Sequence, residues 1–190
     1  MIMKSKQIYD YVERLGELIR LDSRQSITTQ GLQPVQLEVL HYLSMCNRYS
    51  DTAMAVTEYL GQTKGSVSQT LKVLEKKGLL SKKIDKVDKR MYHLKVTVSG
   101  KKLLKKTIPT AMFINACDAL PGDVRFQIEE SLKQLLTTIL QSNNLKTFGV
   151  CHSCRYNSKT EEDSHYCNLV QQPLTDNDIH LKCREHESFM

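Results

Sequence analysis

The chain has no run of 18 apolar residues, and so no segment able to cross a bilayer as a helix. Its opening stretch, MIMKSKQIYDYVERL, is interrupted by Asp10 and Glu13, which is incompatible with the apolar core of a secretory signal. A cytoplasmic protein is therefore expected. No internal repeat and no low-complexity tract is present, which excludes solenoids and arrays. Also missing are a glycine-rich nucleotide loop, a Ser/His/Asp or Cys/His arrangement with a plausible base, and a polar cluster of substrate size. An enzyme is not expected. What is present is 190 residues, 40% of them hydrophobic, enough for one domain of ordinary size with a small appendage.

The net charge of +6 is unevenly placed. Residues 63–106 hold fourteen Lys or Arg against Glu75, Asp85 and Asp88, while the rest of the chain is net acidic. The same region has the clearest pattern in the sequence. Val67, Leu71 and Leu74 recur at helical spacing, and the opposite face carries Lys64, Ser66, Ser68, Gln69 and Lys72. Gly78 ends that helix. LLSKKID then alternates, KVDKR turns and MYHLKVTV alternates again, which predicts a hairpin. A helix with short polar side chains followed by a basic hairpin has the layout of a winged helix-turn-helix. Its helix would enter the major groove, with the hairpin tip against backbone or minor groove. A basic region coinciding with such a unit points to double-stranded DNA.

The remaining chain reads mainly as helix. Residues 4–25 are amphipathic through Ile8, Val12, Leu15, Leu18 and Ile19, and RQSITTQG breaks the pattern. Pro34 opens a helix buried over much of its girth, on which His41 has no partner ligand nearby. Asp51 or Thr52 caps a short helix ending at Gly61, and Thr63 caps the next, with Gly65 inside it. Ser99 caps a further helix that Pro109 interrupts, and a long apolar helix follows the turn at 121–123. The fold class expected is mainly α with a small β-hairpin wing. Residues 1–30 and 100–144 form a helical dimerisation region, 31–99 the winged unit and 145–190 a Cys-rich tail. The first and last helices are more apolar than a small winged domain needs, which predicts a homodimer.

Over about residues 4–143 this arrangement resembles the MarR family of bacterial transcription regulators. The resemblance rests on TKGSVSQTLKVLEKKGLL and on DKVDKRMYHLKVTVSGKKL, with Asp88 and Arg90 matching the family's Asp-x-Arg wing and Thr97 and Gly100 its step into the next helix. It implies dimers with interlocked terminal helices, whose two lobes read a pseudo-palindromic operator. The family's usual TRLV segment is here SQTLKV, so the bases read do not carry over. Gln69 is suited to bidentate pairing with adenine, and Ser66 and Ser68 to bases or phosphates. Lys89 and Arg90 suit the minor groove. Lys82, Lys83, Lys86, Lys101 and Lys102 suit phosphates, which set affinity and not sequence.

The tail carries the second motif. Cys46 and Cys117 sit alone in helical patterns, as buried free thiols do. Cys151, Cys154, Cys167 and Cys183 instead crowd the last 40 residues as C-x-x-C, a cysteine after twelve residues and another after fifteen. In a cytoplasmic chain this reads as a metal site before disulfides. Four thiolates suit tetrahedral zinc or an iron–sulfur cluster; a metal-free redox thiol group is the third reading. Zinc ribbons commonly use two C-x-x-C knuckles, and only one is present, which favours the cluster. The tail is similar to small high-potential iron–sulfur proteins, a resemblance that places Tyr156, Tyr166 and Leu169 as shielding residues. His186, spaced as Cys183-x-x-His186, is a reserve ligand, while His152, His165 and His180 read as solvated. Glu161 to Asp163 reads as a solvated acidic loop.

The function expected is a sequence-specific DNA-binding repressor modulated by a cluster that senses oxidant, oxygen or iron supply. Because the tail follows the dimer helices, cluster loss would act through the spacing of the lobes. Alternatives are a small-ligand-responsive regulator with structural zinc, and an electron-transfer protein.

Overall fold

The computed structural model describes residues 2–28, 30–86, 88–161 and 163–188. Val87 of the expected hairpin tip and Glu162 of the expected acidic loop lie outside the described residues. Helix α1 runs Ile2–Thr28, past the expected break at residue 24. The Thr28 hydroxyl donates to the Arg24 carbonyl at 2.7 Å, and Ile27 is buried in the core, which holds the last turn helical.

Helix α2 (Pro34–Met45) is the centre of the molecule. Pro34 opens it, Gln33 and Gln36 form a reciprocal capping box, and Leu37, Val39, Leu40, Tyr42 and Leu43 are buried. Around it pack α3 (Ala53–Leu60), α4 (Lys64–Lys76), an antiparallel hairpin of β1 (Leu80–Ile84) and β2 (Tyr92–Val96), and α5 (Val98–Thr107). Thr52 caps α3 and Thr63 caps α4, each hydroxyl accepting an N–H three residues on. Gly61 closes α3 at φ +61. Thr97, not the expected Ser99, caps α5 by accepting from the Gly100 amide, and its hydroxyl also donates to the Gly78 carbonyl at 2.7 Å. Gly100 is sterically fixed, because a Cβ there would lie 2.4 Å from the Leu79 carbonyl oxygen.

As expected, the helical run breaks near Pro109. Helix α5 ends at Thr107, and α6 (Ala111–Asp118) and α7 (Gly122–Ser142) follow. Neither α6 nor α7 buries a residue in the single chain. Val12, Leu15 and Ile19 on α1 and Phe126, Leu132, Leu136 and Ile139 on α7 stay exposed, so two apolar faces lack cover within one chain. Cys117 on α6 is half-buried, not enclosed as expected for a core thiol. Among the described residues no helix is long and apolar enough to cross a membrane.

The tail does not extend from α7; it folds back onto the winged unit. Phe148 enters the core edge-on to Tyr42 and Tyr59, with ring centroids 5.9 and 5.1 Å away. A 3-10 turn at Cys151–Ser153 leads into a three-stranded antiparallel sheet of β3 (Asn157–Lys159), β4 (His165–Cys167) and β5 (Gln172–Leu174). After a second 3-10 turn at Asp178–His180, Lys182 runs beside the end of α2. Its amide donates to the Met45 carbonyl at 2.8 Å, and its carbonyl accepts from Asn47 N–H at 2.9 Å.

Candidate functional site

On α4 the stripe predicted to be apolar is the buried one: Val67, Leu71 and Leu74 are at most 3% exposed. Lys64, Ser66, Ser68, Gln69 and Lys72 are all exposed on the opposite side. Among the described residues Lys64, Lys72, Lys83, Lys86, Lys89, Arg90, Lys101 and Lys102 make no ion pair. Lys82 differs from its expectation, being held by Glu75 at 2.7 Å. A Cβ at Gly65 would meet only the Thr63 hydroxyl, at an ordinary 4.0 Å, so nothing among the described residues requires glycine there.

The wing tip is shaped by acidic side chains. Asp85 accepts from the Asp88 amide at 2.7 Å, and Asp88 accepts from the Arg90 amide at 2.9 Å. Asp88 thus orders the turn that presents Lys89 and Arg90. Behind the tip, His93 on β2 lies between two carboxylates, 2.5 Å from Asp51 and 2.9 Å from Asp85. The Asp85 bond, then Asp51, raise the imidazole above its ordinary pKa against the effect of burial. Burial in turn raises the Asp51 carboxyl, although His93 and Lys95 oppose it. Sequence reading missed His93, which strand alternation presents as one more residue of the hairpin.

The structure brings together the four tail cysteines. Cys151, Cys154, Cys167 and Cys183 line one partly open cavity with Tyr156, Leu169, Val170 and Leu174, and with Asn47 and Tyr49 from the α2–α3 turn. All six cysteines are free thiols. The fully buried Asn47 donates from its side-chain amide to Cys151 sulfur at 3.2 Å. Cys183 is held below the usual thiol range by hydrogen bonds, the largest from Cys151, with Asn47, the Glu185 amide and Ser50 adding to it; the same pairing and burial push Cys151 up. Burial pushes the neighbouring Cys46 thiol up to about 12, leaving it an inert core group.

Among the described residues no three His, Cys, Asp or Glu side chains converge closely enough for a single metal ion. A tetrahedral zinc with bonds near 2.3 Å needs its four sulfurs within about 4 Å of one another. A cubane spreads its ligands around a larger body and takes hydrogen bonds on sulfur from its shell. The thiol-lined cavity, its apolar lining and the Asn47 donor are of the kind that second donor set uses.

Two expectations for the tail are corrected. His186 does not line the cavity: its ring nitrogens face the Thr147 and Ser153 hydroxyls at 2.6 and 3.1 Å, and the ring packs against Gly149, where a Cβ would lie 2.5 Å away. Tyr166 is not part of the lining either, whereas Tyr156 and Leu169 are. The tail also meets the α2–α3 turn and α3. Arg184 forms a two-pronged ion pair with Glu58 on α3, at 2.7 Å for each prong, and its amide donates to the Ser50 hydroxyl at 2.8 Å.

A second cavity, of about 290 Å³, lies between α1, α2 and the α5–α6 junction. Ile19, Arg20, Leu37, His41 and Phe113 line it, together with Thr110, whose buried hydroxyl has no partner among the described residues.

A helix-turn-helix of α3 and α4 followed by a two-stranded wing defines a winged-helix protein. Residues 30–91 match the model of the MarR family, the stretch from the turn before α2 to the start of β2. Solved structures agree on the fold. A MarR transcriptional regulator from Methanosarcina mazei Go1 superposes with a TM-score of 0.60 at 20% identity, covering 72% of this chain and 98% of that one. The S. aureus MepR–DNA complex gives 0.56 at 24% identity, over 68% and 97%. Wild-type apo MarR from E. coli gives 0.53 at 17% identity, over 67% and 95%. More than a quarter of this chain therefore has no counterpart in them. No curated protein matches the chain.

Proposed function

We propose that the protein is a dimeric DNA-binding transcription repressor whose tail holds an iron–sulfur cluster that responds to oxidant, oxygen or iron supply. The observation carrying the DNA assignment is the exposed basic and polar face of α4 beside the wing tip at Lys89 and Arg90, on a fold also adopted by MepR in complex with DNA. Phosphate contacts from such a face supply affinity, and Gln69, Ser66 and Ser68 supply base contacts. The uncovered faces of α1 and α7 favour the homodimer, which places two recognition helices on a pseudo-palindrome.

The four-cysteine cavity supports the cluster. Cys151, Cys154, Cys167 and Cys183 would be the ligands, and the cluster would supply a redox- and oxygen-labile centre. Around it, Asn47 donates to Cys151 sulfur, while the buried Leu174 and half-buried Val170 give apolar cover. The test is a visible absorption spectrum of protein purified without oxygen, with iron, sulfide and zinc assayed on the same sample. A broad absorption with matched iron and sulfide is expected, followed by a change in operator binding on air exposure. A colourless protein with one zinc per chain overturns the cluster and leaves a structural staple.

The second cavity favours a further reading, a small-ligand response. The unpartnered Thr110 hydroxyl, beside Arg20 and His41, offers polar anchorage for an aromatic ligand within an apolar slot. Screening for ligand-dependent shifts in melting temperature tests it.

A further inference from the structure

Two polar networks meet at one short turn. Residues 46–51 join α2 to α3, and their polar groups face both the cysteine cavity and the wing. On the cavity side Asn47 donates to Cys151 sulfur, and the Ser50 hydroxyl accepts from the Arg184 amide, next to Cys183 in the chain. Within the turn, Asn47 oxygens accept from the amides of Tyr49 and Ser50 at 3.1 and 3.0 Å, and the Tyr42 hydroxyl donates to the Ser50 carbonyl. Asn47 and Ser50 are both fully buried. On the wing side the Asp51 carbonyl accepts from the Leu94 amide at 2.7 Å, and its carboxylate holds His93. His93 holds Asp85, which orders Asp88 and hence Arg90. From Cys151 sulfur to the Arg90 amide the contacts are continuous.

We propose that this turn is the element through which the cysteine site sets the pose of the wing, with Asn47 as the positioning residue. The proposal rests on the reading that the four cysteines hold a metal cluster. A metal held there would bond to each cysteine sulfur, with the thiol proton passing to solvent. The Asn47 amide, 3.2 Å from Cys151 sulfur, would then donate to a metal-bound thiolate. Losing the metal would free that sulfur and shift Asn47 and, through the turn, Ser50. Both are fully enclosed in a close-packed interior, so their displacement is passed to Asp51 and β2. The route differs from a change in lobe spacing because it acts within one chain.

The test uses full-length protein purified without oxygen, its metal assayed, before and after stripping with oxidant and chelator. Amide exchange over residues 80–96 and operator affinity are read for wild type, His93→Gln and Asn47→Asp. His93→Gln removes the imidazole bridge from the turn to Asp85 and the wing tip, leaving the Leu94–Asp51 main-chain bond, without touching the cavity. Asn47→Asp keeps the acceptor for Tyr49 but removes the donor to sulfur. In wild type, stripping should raise wing exchange and change operator affinity about tenfold. His93→Gln should keep wild-type metal content and spectrum while that difference falls within about twofold. Asn47→Asp should alter the spectrum of the loaded site as well. If Asn47→Asp fails to fold, His93→Gln decides alone. Full wild-type differences in His93→Gln overturn the route through His93 and Asp85 to the wing tip. A metal-loaded wild type with no difference on stripping overturns the coupling and leaves the metal reading intact. Wild type without metal overturns both.

Discussion

The winged face and the tail carry many charges each and treat them in opposite ways. In the tail, Arg184 is paired with Glu58, Arg155 with Glu187 at 2.6 Å, Lys159 with Asp163 at 2.5 Å and Lys146 with Glu185 at 3.1 Å. On α4 and at the wing tip, Lys64, Lys72, Lys89 and Arg90 have no such partners among the described residues. Exposed ion pairs contribute little stability, so the difference is not one of holding the fold together. Among the described residues it separates a surface where many charges are paired within the chain from one where the cations are left unpaired. The tail is joined to the winged unit chiefly by enclosed apolar groups and by buried hydrogen bonds at the α2–α3 turn.

Phe148 gives the largest expected effect. It is 5% exposed, packs on Tyr42 and Tyr59, and is the tail's main anchor in the core of the winged unit. Phe148→Ala should cost about 3–5 kcal/mol in denaturant unfolding. A cost under about 1 kcal/mol would mean that the tail is held by its surface ion pairs after all, reversing the comparison.

A paired substitution sharpens the contrast of charges. Arg90→Ala should weaken operator binding and reduce the slope of log affinity against log salt by about one, with the melting temperature unchanged. Lys146→Ala, which removes a cation of the tail, should leave that slope alone. Equal slopes for wild type and Arg90→Ala would remove the wing tip from the DNA contact.

The sequence made the winged unit legible because its signals are local: a helical stripe at Val67, Leu71 and Leu74, threonine caps, glycines at turns and an alternating hairpin. The four cysteines were legible as a group by spacing alone. Their surroundings were not. Asn47, Tyr49 and Ser50 lie about a hundred residues away in sequence, in a turn with no periodicity, and only the return of the tail brings them to the sulfurs. His186 shows the opposite failure. Its ligand-like spacing is real, but two hydroxyls and the bare Cα of Gly149 hold the ring elsewhere.

The smallest expected effect concerns His93, the one imidazole that ties the wing to the α2–α3 turn among the described residues. In the unfolded chain its pKa is near 6.5. Folded, it is raised by Asp85 first and Asp51 second. The folded state therefore holds the proton more tightly, so the stabilisation is complete below pH 6.5 and is lost as pH rises through the folded value. Asp51 acts in the same direction at lower pH, since burial raises its carboxyl above 3.8 and makes the folded state the better proton acceptor. Its ionisation therefore also costs stability as pH rises. Comparing denaturation midpoints of wild type and His93→Gln isolates the imidazole. The wild type should be the more stable near pH 6, and its advantage should shrink towards about pH 9. A flat or growing advantage would show that His93 bridges the two carboxylates as a neutral hydrogen-bonding group. The wing, unlike the tail's permanent Arg184–Glu58 pair, would then carry no charge-dependent tie to the turn.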